Sequence, residues 1–183
     1  MKNKRSKSNS YTTKKLTVCA LLAALGVVIM YLGSLVDLLD ISMAVIASLL
    51  CVIAVIEYGK GAPWMVFAAT ALLSLLLLPG NKSPALFYTV FFGFYPILKE
   101  KIEKKSKVVS WVLKEIIFNV CLIPMVLLTV FLFIDPTKNT LVNPITISIA
   151  VILAEAVFVM YDIAMTRLIS FYILKLRKRL KLN

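Results

Sequence analysis

The sequence predicts an all-α fold, a polytopic membrane protein built as a compact bundle of six transmembrane helices, and three observations carry that reading. Of 183 residues, 61% are hydrophobic and 16% charged, whereas soluble domains usually carry about 25% charge. Apolar runs recur along the whole chain at roughly the 20-residue length of a bilayer-spanning helix. Only a helix or a closed barrel satisfies its own backbone hydrogen bonds in hydrocarbon. Lysine and arginine fall in short clusters between these runs, the pattern expected when cationic loops are retained in the cytoplasm.

Residues 1–15 hold Lys2, Lys4, Arg5, Lys7, Lys14 and Lys15. With so little apolar surface they are expected to form a flexible basic cytoplasmic tail. The transmembrane domain is expected over residues 16–173. Its first span runs from Leu16 to Val36, and the acidic residues Asp37 and Asp40 mark a short turn before a second span from Ile41 to Ile56. Gly59, Lys60, Gly61 and Pro63 then break the helix. A third span, Ala62 to Leu78, ends at Pro79-Gly80-Asn81, a turn signal; the fourth runs from Pro84 to Leu98. Both are short, so they are either barely tilted or completed by flanking residues.

The segment Lys99 to Lys107 carries both signs of charge, and its early part extends the fourth helix past the membrane surface. A fifth span from Val108 to Ile134 is stopped by Asp135-Pro136, with Pro124 inside it as a candidate kink. After a polar loop containing Asn139 and Asn143, the sixth span runs from Pro144 to Ile173 into a basic cytoplasmic tail, residues 174–183. The first apolar run is longer than an ordinary signal-peptide core and lacks a small-x-small cleavage site, so the first helix is expected to stay. No repeat points to an inverted-repeat transporter.

Counting charges sets the orientation. With both termini inside, 18 of the 21 basic residues are cytoplasmic, while Lys82 and Lys138 lie outside and Lys114 lies within the fifth span. The expected location is the plasma membrane of the cell, multi-pass, with cytoplasmic N- and C-termini. The net charge of +12 is thereby assigned to topology, and no nucleic-acid partner is expected.

Chemistry-bearing motifs are sparse. There is no histidine, the usual proton-transfer group at neutral pH. Cys19, Cys51 and Cys121 are far apart, each inside an apolar run, so no metal site is expected and the three read as small packing residues. Gly80-Asn81-Lys82-Ser83 imitates the end of a phosphate loop, but the first glycine of the motif is missing. The expectation is no catalytic residue, no cofactor and no enzymatic activity.

Ionisable groups inside the bilayer are the better lead, because each costs about 2.5–3.5 kcal/mol at a helix centre on insertion scales. Lys114 and Asp162 both lie toward the cytoplasmic side, and an intramembrane ion pair is expected between them. Glu155 and Asn119 fall near mid-membrane on oppositely directed helices. Either substrate contact or interhelical hydrogen bonding fits these two. Glu115 and Asn119 share a face, while Ser148, Glu155 and Asp162 recur every seven residues. Span four holds Phe87, Tyr88, Phe91, Phe92, Phe94 and Tyr95; their rings fit stacking on a planar ligand, lipid-facing bulk or interface anchoring. Ala20 and Ala24, with Ala23 and Gly26 beside them, form a small-residue face that lets another helix approach closely.

The basic tail running into Lys15-Leu-Thr-Val-Cys-Ala20-Leu-Leu-Ala-Ala24-Leu-Gly-Val-Val, followed by five more spans in under 200 residues, resembles the substrate-binding S component of an energy-coupling factor transporter. The likeness covers the whole chain in architecture and the first helix in motif. It implies a six-helix subunit that captures a vitamin or similar small molecule and topples against a scaffold transmembrane subunit, driven by two separate ATPase subunits. It further implies that Ala20 and Ala24 contact the scaffold. The ligand would then sit in the outward half, among Tyr88, Asn119 and Glu155, with Asn143 and Asp40 near the mouth. No signature identifies a riboflavin, thiamine, biotin or folate binder. The alternative is a polytopic membrane scaffold or assembly protein with no small-molecule ligand. A lipid-modifying enzyme would need a polar cluster at a membrane surface, for which Glu57, Lys99 and Glu100 are too thin.

Overall fold

A computed structural model describes residues 2–59, 61–133 and 144–176. Among the described residues every regular element is helical, so the all-α class holds. The first helix, α1 (Lys2–Ser34), starts well inside the segment expected as a tail. At about 1.5 Å per residue its length is about 50 Å, beyond the ~30 Å hydrocarbon core. A single 3₁₀ turn (Asp37–Leu39) leads into α2 (Asp40–Tyr58), whose first residue is acidic and complements the helix dipole.

Helix α2 stops at Gly59, whose φ of 51° lies in the left-handed region that costs glycine little. Its N–H donates to the carbonyls of Ala54 and Val55, both at 3.2 Å, closing the helix end. Helix α3 (Gly61–Leu77) comes at once, with Pro63 in the first turn, where a missing N–H costs nothing.

The fourth expected span is one rod in sequence and three pieces in structure. It comprises α4 (Ser83–Phe87), a π-helical stretch (Tyr88–Phe92) and α5 (Tyr95–Ile102). Pro96 explains the break: it has no N–H for the Phe92 carbonyl, and its ring crowds that carbonyl. The ladder opens just there, and the Gly93 N–H reaches back five residues to Tyr88 O at 2.7 Å. Two long helices remain, α6 (Lys107–Phe133), which continues through Pro124, and α7 (Pro144–Phe171), which ends in a second π-helical turn (Tyr172–Leu176).

Four stretches are long and apolar enough to cross a bilayer: Thr12–Ser34, Asp40–Tyr58, Lys107–Leu127 and Ser148–Lys175. Gly61–Leu77 is equally apolar but has 17 residues. A third or less of each long stretch is buried, and side chains such as Leu21, Leu25, Leu76 and Met160 are exposed. Water would penalise so much bare apolar surface, and lipid would not. Four stretches of the chain thus have the length and the bare apolar surface that suit a bilayer.

Two units divide after Met125. In the first, α2 is central, packing on α1, α3, α4, the π stretch and α5. Neighbouring residues fix the register. Gly33 meets Met43, and Gly26 meets both Leu50 and Thr70; Cys19 clusters with Ala54, Ala62 and Val66. Helices α1 and α2 are therefore antiparallel, and α1 and α3 parallel. A Cβ on Gly33 would lie 2.7 Å from Met43 Cβ, so only glycine permits the α1–α2 approach. The second unit holds the end of α6, α7 and its π-helical turn.

Candidate functional site

At the end of the first unit where α1 meets α2, Asp40 is buried. Asn81 Nδ2, from the α3–α4 turn, donates to Asp40 Oδ2 at 2.7 Å, and Asn81 Oδ1 accepts the Ser83 N–H at 2.9 Å. Asn81 thus bridges α2 to the start of α4, and the expected mouth residue is part of a polar clip. The Pro79-Gly80-Asn81 signal announced a turn; only the fold shows that its asparagine reaches 41 residues back.

The aromatic residues of span four form a core. Tyr88 is 0% exposed, and Phe91, Phe92 and Tyr95 are buried. Phe91 is the hub, with centroids 5.3 Å from Phe92, 4.9 Å from Tyr95 and 5.4 Å from Phe118 of α6. Tyr88 lies 6.0 Å from the Phe67 ring of α3. These tilted and edge-on arrangements are favourable ring pairs. Lipid-facing bulk and interface anchoring therefore do not describe Tyr88, Phe91, Phe92 or Tyr95. The close approach requires Gly93, where a Cβ would stand 2.6 Å from both the Phe67 and Tyr88 rings.

At the opposite end, α5 and α6 are tied by a cluster that sequence reasoning missed. Lys99 Nζ and Lys114 Nζ each lie 2.8 Å from the same atom, Glu103 Oε1. The lysine side chains are 1% and 6% exposed, and Glu103 is 38% exposed. Burial raises the Glu103 pKa, but the hydrogen bonds and positive charges of Lys114 and Lys99 outweigh it and hold the carboxyl below its ordinary range. Glu103, on the α5–α6 connection, thus bonds Lys114, a partner that sequence reasoning did not anticipate. The i, i+4 spacing of Lys99 and Glu103 was the available signal.

Three helices, α6, α7 and α1, carry the other expected residues that the structure describes. Asn119 is exposed on α6, and its Nδ2 donates to Glu115 O of its own helix at 3.0 Å. Glu155 is half-buried on α7, where Asp162 is buried and Ser148 exposed. Asn143 lies outside the described residues. On α1, Ala20 and Ala24 are exposed, whereas Cys19, Ala23, Gly26, Val27 and Met30 are buried. The small residues that the sequence grouped together therefore divide between two faces. Comparison of the chain with protein-family models, with curated proteins and with solved structures gave no match.

Proposed function

We propose that this chain is the membrane-embedded substrate-capture subunit of an energy-coupling-factor type importer for a vitamin or similar small molecule. In this reading six apolar segments, the interrupted fourth among them, cross the plasma membrane with both termini cytoplasmic. A scaffold transmembrane subunit and two separate ATPase subunits supply the work. The lipid bilayer is the surrounding solvent, and the chain itself catalyses nothing.

The observation that carries the reading is the state of α1. Its apolar stretch buries one face through Ala23, Gly26, Val27 and Met30 and leaves Ala20 and Ala24 exposed on another. Small exposed residues one turn apart let a partner helix come close, which is how helices associate where lipid gives no hydrophobic driving force. The α1 motif that resembles the S components thus has a bare surface on which to act. The polar groups of the last two apolar segments, Asn119 and Glu155, are assigned to the solute, because intramembrane polar groups are costly unless they serve a partner or a cavity.

The second reading, a membrane assembly protein without a small-molecule ligand, draws on other observations. Asp40 is bonded to Asn81, and Tyr88 is sealed within a ring cluster. Purification from native membranes with a crosslinker, then mass spectrometry of proteins and bound small molecules, separates the two. The importer reading expects a scaffold subunit, two ATPases and a retained solute. Recovery of envelope-assembly proteins with neither ATPase nor solute refutes it. Separate Asn119→Ala and Glu155→Gln variants should lose the solute while the fold persists; under the second reading they change only stability.

A further inference from the structure

We propose that the elbow joining α5 to α6, from Lys101 to Trp111, docks the headgroups of anionic phospholipids. The inference rests on the reading of the chain as a membrane protein with this elbow on its cytoplasmic side. Glu103 in the elbow and Glu100 just before it are both engaged by lysines. Glu103 receives the inward-lying Lys99 and Lys114, and Glu100 receives Lys104 at 2.9 Å. Lys101, Lys105 and Lys107 are exposed and have no ion-pair partner among the described residues. The surplus charge of the elbow is therefore concentrated on three outward side chains.

Immediately after Lys107 the chain turns apolar and stays equally bare. Val108 is 75% exposed and Trp111 43%, with Val109 and Val112 exposed beside them. A cationic fringe directly above an exposed apolar face with tryptophan has the chemistry of the boundary between headgroups and acyl chains. Indole sits at that boundary, and lysine just outside it meets phosphate. Local electrostatics favour the same partner. Lys107 opens α6, whose first turn contains no acidic residue, so cations there face the positive end of the helix dipole. An anionic headgroup relieves that repulsion. A purely solvated elbow would keep its lysines on the inner side equally well, but it would show no preference among lipids.

The test uses the full chain in nanodiscs of phosphatidylcholine alone or mixed with phosphatidylglycerol, with retained lipids counted by native mass spectrometry after release. Wild type should retain phosphatidylglycerol in preference to phosphatidylcholine. The K101Q/K105Q/K107Q variant should lose that preference, by about fivefold per lysine. The corresponding triple arginine variant should keep it, as should Lys82→Gln at the other end of the unit. Equal retention of the two lipids by wild type, or an undiminished preference in the glutamine variant, overturns the proposal while leaving the membrane reading intact. A chain that stays soluble without lipid or detergent overturns both.

Discussion

Replacing Glu103 by glutamine removes a negative charge that two buried ammonium groups share through one oxygen. Breaking a buried ion pair from one side costs about 3–5 kcal/mol, whereas an exposed pair contributes about 0.2–1 kcal/mol. Lys99 and Lys114 are buried, but Glu103 is 38% exposed and solvent screens it. The expected loss lies between those limits, at about 2 kcal/mol. For a chain of this size that lowers Tm by about 4–8 °C. Thermal denaturation in detergent, monitored through the fluorescence of Trp64 and Trp111, measures it. The double variant E103Q/K114M should be less damaged than the sum of E103Q and K114M, because each removes the same contact. A Tm for E103Q within about 1 °C of wild type, or strict additivity in the double variant, refutes the reasoning.

Single contacts elsewhere have consequences of their own. Gly93→Ala places a methyl 2.6 Å from two rings, and overpacking of about 1–3 kcal/mol should appear as a lower Tm. Thr70 Oγ1 is buried with no hydrogen-bond partner among the described residues, so the isosteric Thr70→Val should hold or raise Tm, since it removes an unsatisfied group. Glu103 has its carboxyl held below the ordinary range, so its contribution is complete above the unfolded carboxylate pKa and is lost as pH falls through the depressed folded value. The Tm gap between wild type and E103Q should therefore stay constant from neutral pH into mild acid and close only at still lower pH.

Helix ends were legible because they are local chemistry. Gly59, the Pro79-Gly80-Asn81 turn and the acidic Asp37 and Asp40 around the start of α2 each stop or start a helix through local chemistry. Facing was not legible. In an apolar helix the lipid side and the packed side have the same composition, so nothing in the sequence separates Ala20 and Ala24 from Ala23 and Gly26. The interruption at Tyr88–Phe92 was hidden for a related reason: Pro96 was visible, but hydropathy does not register a missing hydrogen bond. Glu103 was overlooked as a partner of Lys114 because it sits in the polar connection, 11 residues earlier, and not on a span. An aromatic residue for stacking a solute and one for stacking a core read identically in sequence, and only the fold shows Tyr88 beside Phe67.

The central claim is that α1 presents Ala20 and Ala24 to a partner subunit, and photocrosslinking in native membranes tests it most directly. A photoreactive residue in place of Ala24 should yield an adduct with a polytopic membrane protein that copurifies with two ATPases, and the same residue in place of the buried Ala23 should yield none. Adducts with lipid alone, or the same protein adduct from both positions, would contradict it.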